Sequence, residues 1–292
     1  MSASSFSFPR RDFLRGALAA SLLATRTSRA APAEASKTVL IDTNAWLGQW
    51  PIRRLALDAP AALAAKLKQI DVSRAWVSSL EGILHKDIGS VNARLAEECS
   101  RSPIFEPIGV INLSLPRWEA DVEACSLRHH MRGLRLLPGY HGYKLDDPRF
   151  AALLKLATSH RLAVQIAVAL EDERTQNPLL RVPPVDITPL AALADQITGV
   201  RVMLLNWQRV SGGKPLLSTL QKTRVLLDTA MVEGIAGIES VLEEFPVAQL
   251  CFGSYAPVFY PESAKLKLRE SDLSDVQLDA ITQGNAQRFL GA

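Results

Sequence analysis

Polar and ionisable residues stand at the ends of apolar runs along this chain, and their types suit proton transfer and the binding of an anion. Val39-Leu40-Ile41 passes into Asp42-Thr43-Asn44-Ala45-Trp46, and Glu81, His85 and Lys86 follow a second run, 74–79. Arg135 lies between Leu134 and Leu136, with Tyr140, His141 and Tyr143 just behind it. An arginine in a buried strand needs an anionic partner, either a carboxylate of the protein or a group on a substrate. The second choice makes Arg135 an anion binder. His141, whose ordinary pKa is near neutrality, is the leading acid/base candidate. Asp228, which closes Leu226-Leu227-Asp228, and Asp42 are carboxylates that either move protons or cap a loop or helix. Asn44, Trp46, His85, Tyr140, Gln165, Glu173, Arg174, Asn206 and Tyr255 complete the candidate substrate-binding set.

Each candidate has a plainer reading beside the chemical one. His85 suits the surface as well as a site. Glu171-Asp172-Glu173-Arg174-Thr175-Gln176-Asn177-Pro178 is either a solvated charge run or a lid or clamp, with Glu171 the weakest candidate in it. Phe259 serves packing as readily as a pocket wall. His129 and His130 are adjacent and cannot both face one site from one helix, so they read as surface residues at a helix end.

Eight β-rich runs position these residues: 38–43, 74–79, 107–112, 133–137, 162–168, 199–205, 224–229 and 249–254. Most are continuously apolar, as strands buried on both faces are. Helical spacing of apolar residues marks 61–70, 88–100, 117–129, 150–160, 189–197, 237–245 and 275–290. Strands recur about every thirty residues, the length of a βαβ unit. Eight such units predict an α/β fold, a single-domain (β/α)8 TIM barrel whose site lies at the C-terminal ends of its strands. The competing doubly wound sheet needs a glycine-rich phosphate turn after its first strand, and none is there.

Before the barrel, Pro9-Arg10-Arg11-Asp12-Phe13-Leu14-Arg15 precedes a short apolar stretch, and Ser28-Arg29-Ala30 offers a cleavage point. The pattern resembles a twin-arginine export signal over 1–30, with a linker at 31–36 and the barrel over 37–292. It predicts a periplasmic or secreted protein with no membrane association in the mature form. The net charge of +3 shows no basic run suited to nucleic acid. Three cysteines, Cys99, Cys125 and Cys251, are too few and scattered for a disulfide framework and read as buried small residues. A small-molecule substrate is the expected partner, and a homo-oligomer stays open.

The strand ends also carry a family resemblance. Ile41-Asp42-Thr43-Asn44-Ala45-Trp46 resembles the Asp-x-His-x-His opening of the amidohydrolase-related metal-dependent hydrolases. Gly133-Leu134-Arg135-Leu136-Leu137-Pro138 resembles their fourth strand, and Cys251-Phe252-Gly253-Ser254-Tyr255-Ala256-Pro257 their eighth, Phe-Gly-Ser-Asp-x-Pro. Gly284-Asn285-Ala286-Gln287-Arg288-Phe289-Leu290 resembles their last helix. The resemblance implies metal ligands at positions that here hold Asn44, Trp46, Ala167, Asn206 and Tyr255. Trp and Ala cannot ligate a divalent cation, and amides and a neutral phenol are poor substitutes for imidazole and carboxylate. The expectation is therefore no metal and no cofactor, as in metal-independent lactonases that the same resemblance brings in. Lactone or ester hydrolysis, or a decarboxylase or lyase step, fits such a scaffold, with Arg135 holding the anion and His141, Asp228 or Asp42 moving protons. The alternatives are a non-catalytic small-molecule-binding pseudoenzyme, or a metal held by His85, His141, Asp42 and Asp228 instead.

Overall fold

A computed structural model describes residues 39–193, 199, 201–209 and 220–291. The export-like segment and the linker lie outside the described residues. Among the described residues, nine parallel strand segments follow one another: β1 (Leu40–Leu47), β2 (Val72–Ser79), β3 (Phe105–Pro107), β4 (Gly109–Ile111), β5 (Gly133–Leu136), β6 (Ala163–Ala167), β7 (Val202–Leu205), β8 (Leu226–Asp228) and β9 (Leu250–Cys251). They pair as a three-stranded sheet, β1-β2-β3, and a six-stranded sheet, β4 to β9 in order.

Two seams join these sheets into a ring of eight strand positions. At the first, β3 and β4 are one chain path interrupted at Ile108, whose N–H donates to the Val77 carbonyl at 2.8 Å. At the second, Thr43 N–H donates to Phe252 O (2.9 Å), Trp46 N–H to Ala256 O (2.8 Å) and Tyr255 N–H to Asn44 O (2.7 Å). The predicted eight-unit barrel is the observed fold class, with the third strand split in two. The split leaves backbone groups of Val110 to be satisfied by a side chain. Asn92, buried on the helix Ile88–Ser100, donates from Nδ2 to Val110 O (2.8 Å) and accepts from Val110 N–H at Oδ1 (2.9 Å). Asn92→Ala should therefore lower stability by about 2–4 kcal/mol, since a buried donor and acceptor lose their partners together. Urea denaturation checks it, and a change within about 0.5 kcal/mol would remove the patching role.

β1 runs four residues past the expected 38–43 end, so Asn44 and Trp46 sit inside the strand. All of its residues are buried, and its pairing with β2 shifts register between Asp42 and Ala45. A polar sequence is tolerated there because its side chains find partners inside the barrel. Elsewhere the strands alternate as a filled barrel requires. Val164, Ile166, Leu134 and Leu136 pack outward into the main core against the helices. Ile41, Trp76, Ile108, Ala163, Met203, Leu226 and Cys251 fill the lower lumen. The last helix, Asn285–Leu290, closes that end, with Phe289 stacked on Trp76 at 5.9 Å.

Several predicted helices appear close to their expected bounds, for example Pro60–Gln69, Ile88–Ser100, Pro148–Ser159 and Gly237–Glu244, while the one expected over 189–197 is described as Pro189–Leu193, its end lying outside the described residues. Pro261–Glu270 is an additional helix. It buries only Pro261, Ala264 and Leu268 and is otherwise rich in charge, so its periodicity is faint. Ion pairing of Lys66 with Glu262 (2.8 Å) and donation from Lys267 Nζ to Ala230 O (2.6 Å) fasten it to the barrel.

Candidate active site

At the C-terminal ends of β1, β7 and β8, three polar side chains meet. Asn44 Nδ2 donates to Asp228 Oδ2 at 2.6 Å and to Asn206 Oδ1 at 2.9 Å. Asn206 N–H donates to Asp228 Oδ1 at 2.9 Å. The amide orientations follow from chemistry. The indole N–H of Trp46 is a donor only, and it reaches Asn44 Oδ1 at 3.0 Å. Asn44 must then turn its NH2 toward Asp228 and Asn206. Asn206 in turn points its own NH2 at Ala169 O, 2.7 Å away. One donor-only ring thus fixes the direction of the whole chain of amides.

Burial pushes the Asp228 carboxyl up to about 6, against the lowering pull of the Asn44 and Asn206 hydrogen bonds. Gly253 lies so close that a Cβ there would stand 3.0 Å from Asp228 Oδ2 and 3.1 Å from Asn44 Cβ. Asn206 and Tyr255 both have positive φ, 58° and 59°, in the left-handed region that a tyrosine rarely adopts.

Asp42 is fully buried and accepts from Asn44 N–H (3.1 Å), Ser254 N–H (2.9 Å) and Ser254 Oγ (2.5 Å). Burial raises its carboxyl above the usual range, while the Ser254 bonds act in the opposite direction. Its contacts clamp β1 to the segment after β9. Arg135 is also fully buried. Its guanidinium donates to Gln165 Oε1 (2.8 Å), Ala45 O (2.8 Å), Thr43 O (3.3 Å) and Trp76 O (3.3 Å), and lies 4.5 Å from the Trp46 ring centroid. Burial draws it down to about 9, with Asp42 and Asp228 pulling the other way. Gln165 gives its NH2 to Thr43 O at 2.9 Å. Arg135 is thereby engaged with the protein's own acceptors.

The remaining candidates lie elsewhere. His141, on the short helix Pro138–His141, is buried with Nε2 2.9 Å from Gly82 O. Burial holds its imidazole below the ordinary value, hence neutral at pH 7. Its hydrogen bond goes to Gly82 rather than to Asp228 or Arg135. His85 is exposed and accepts from Asp87 N–H at 3.1 Å. Glu173 and Arg174 are exposed, Arg174 paired with Asp172 at 2.7 Å. Tyr255 donates to Leu170 O at 2.5 Å, and Phe259 packs edge-on against its ring at 5.2 Å. Half-buried Tyr140 meets Trp50 edge-on at 6.5 Å. Trp50 and Arg53 carry no spacing signal in the sequence and come to the mouth only through the fold.

The family model for amidohydrolases matches residues 56–292. The chain belongs to the amidohydrolase family. Among solved structures, a putative amidohydrolase from Staphylococcus aureus superposes with a TM-score of 0.67 at 13% identity, covering 87% of this chain and 99% of that one. 5-Carboxyvanillate decarboxylase from Novosphingobium aromaticivorans, with bound manganese, gives 0.68 at 14% over 88% and 98%. 2,6-Dihydroxybenzoate decarboxylase from Rhizobium gives 0.66 at 12% over 87% and 99%. At such identities the likeness is one of fold. No curated protein matches the sequence.

Within this amidohydrolase-family barrel, the positions matched above to metal ligands hold groups that do not suit a cation. Ala167 and Trp46 offer no ligand atom. Asn44 turns an N–H donor, not an oxygen, toward Asp228 and Asn206. Tyr255 spends its hydroxyl on Leu170 O. Among the described residues, no group of three His, Cys, Asp or Glu side chains converges as a metal site would require.

Proposed function

We propose that this amidohydrolase-family protein is an exported, metal-independent enzyme acting on a small polar or anionic molecule, by lactone or ester hydrolysis or by a decarboxylase or lyase step. The observation that carries this reading is the Asn44 amide between Asp228 and Asn206. Its N–H bonds fill the space on which the two oxygens converge, and Trp46 holds it that way round. Beside it stands a carboxyl whose pKa lies near working pH, the property a general acid or base needs. Asp228 is therefore the proton-moving group, with Asn44 and Asn206 as its positioning residues. Asp42 and Arg135 hold the strands that carry them. The arginine pair near the N-terminus supports export by the twin-arginine route.

A second reading, small-molecule binding without turnover, is favoured by the burial of Asp42, Arg135 and Asp228 and by their commitment to internal partners. The two separate in one experiment. The mature chain, purified without chelator, is screened for turnover of lactones, esters and small carboxylic acids, and its metal content is measured by mass spectrometry. The enzymatic reading expects turnover that survives EDTA, with metal far below one ion per chain. Stoichiometric metal lost together with activity on chelation sinks metal independence. Ligand binding with no turnover across the screen favours the second reading.

A further inference from the structure

Where the chain enters the helices that follow β2 and β4, a cavity of about 230 Å3 opens between them. Drug-sized ligands take about 300–1,000 Å3, so this space suits a smaller molecule. Its lining carries both signs of charge. Lys86 and Asp87 come from the first segment and Arg117 and Asp121 from the second, while Ile88 and Leu115 supply apolar wall. Asp87 is engaged, its carboxylate accepting from Ser90 N–H (3.0 Å) and Ser90 Oγ (2.6 Å). The side chains of Lys86, Arg117 and Asp121 make no hydrogen bond or ion pair among the described residues. For exposed Lys86 and Arg117 water suffices, but Asp121 is partly buried, and burial together with the nearby Asp87 raises its carboxyl above the ordinary value. Gly89 makes room for it: a Cβ there would stand 3.2 Å from Asp121 Oδ1. Arg117 is held at φ 63°, a conformation unfavourable to a residue with a Cβ, at the turn that brings it to the cavity. A carboxylate in need of a cation and two cations without a carboxylate thus line one space without pairing.

We propose that this cavity binds a free α-amino acid with an apolar side chain, its ammonium on Asp121, its carboxylate on Arg117 and Lys86, and its side chain against Ile88 and Leu115. A zwitterion is the occupant that leaves none of these charges unmatched. A simple cation would face Lys86 and Arg117, and a simple anion would face Asp87 and Asp121, so each is disfavoured by a like charge as well as by a missing partner. The guanidinium of Arg117 suits a carboxylate in two-point contact. Ile88 is buried in the apolar cluster that also holds Trp46 and Tyr255, and Leu115 packs against it. The occupant therefore rests against the packing that surrounds the Asn44–Asp228 site, without sharing that site's residues or depending on its chemistry.

Titration calorimetry on the full chain tests this with three probes of one shape: L-leucine, 4-methylpentanoate, which lacks the ammonium, and 3-methylbutylamine, which lacks the carboxylate. Leucine should bind once per chain, and each analogue at least about tenfold more weakly, the loss of one charge-assisted contact. Asp121→Asn and Arg117→Gln should each weaken leucine by at least about tenfold as well. Neither should lower the urea midpoint, because neither side chain has an internal partner to lose. The proposal is overturned if leucine does not bind, if either analogue binds as tightly as leucine, or if either variant binds leucine like the parent. A variant whose urea midpoint falls assigns its side chain to the fold and overturns the role given to it here. Turnover plays no part in these readings, so they stand apart from the fate of the enzymatic reading.

Discussion

Replacing Arg135 by methionine is expected to lower the folding free energy by about 3–5 kcal/mol, the cost of breaking a buried charged network from one side. The side chain stays long and flexible enough to fill the space, so the loss reports the hydrogen bonds and the charge rather than packing. Those bonds hold the carbonyls of Thr43, Ala45 and Trp76 and the Gln165 amide, all of which would be left without this donor. Asp42 and Asp228 would also lose the nearby positive charge that eases their burial. Arg135→Lys should recover only part of the loss, because an ammonium cannot reach several carbonyls in one plane as a guanidinium does. Equilibrium unfolding in urea reads both variants. A methionine variant within about 1 kcal/mol of the parent would show that the arginine is dispensable to the fold and is kept for a ligand.

Asp228→Asn is the second large effect. If Asp228 moves the proton, turnover on whichever substrate the screen identifies should fall by about 10²–10⁴-fold, the usual contribution of a general acid or base. Binding of that substrate should change far less. A variant with full activity would dismiss Asp228 from the chemistry. The same substitution carries a pH signature. The folded carboxyl titrates near 6 instead of the ordinary 3.8. A raised carboxyl stabilises the fold fully below 3.8, and that contribution is lost as pH rises through 6. The parent's stability relative to Asp228→Asn should therefore decline by about 2 kcal/mol between pH 4 and pH 7, then level off. Using the difference between the two proteins matters, because the lowered His141 imidazole acts in the opposite sense and cancels in the subtraction. A difference that stays flat over this window would mean that Asp228 is already ionised at low pH in the folded state.

The ring of strands was readable from residue pattern because buried parallel strands leave long apolar runs and their helices leave a regular apolar spacing. The break at Ile108 was not, since it depends on backbone hydrogen bonding and on a distant Asn92. Asp42, Asn44, Asn206 and Asp228 stood out as polar residues where apolar runs stop. Their partnerships did not, because Asn44 bonds to residues 162 and 184 positions away. The same distance hides why Arg135 is where it is: three of its four acceptors are backbone carbonyls, which every residue type supplies. Trp50 and Arg53 belong to an irregular loop with no periodicity, so only three-dimensional proximity to Glu171 and Tyr140 brings them forward.

The two seams give the barrel a mechanical character. Strands β1 to β3 form a small arc and β4 to β9 a large one. The polar bonds of the lumen run mostly from one arc to the other: Arg135 to Thr43, Ala45 and Trp76, Ser254 to Asp42, and Asn44 to Asn206 and Asp228. Arg53 and Glu171 repeat the pattern at the rim. These side chains act as crossbolts where ladder bonding is thin. The arcs are thus held mainly by bonds shielded from solvent, so added salt, which screens the part-exposed Arg53–Glu171 pair, leaves their joining largely untouched.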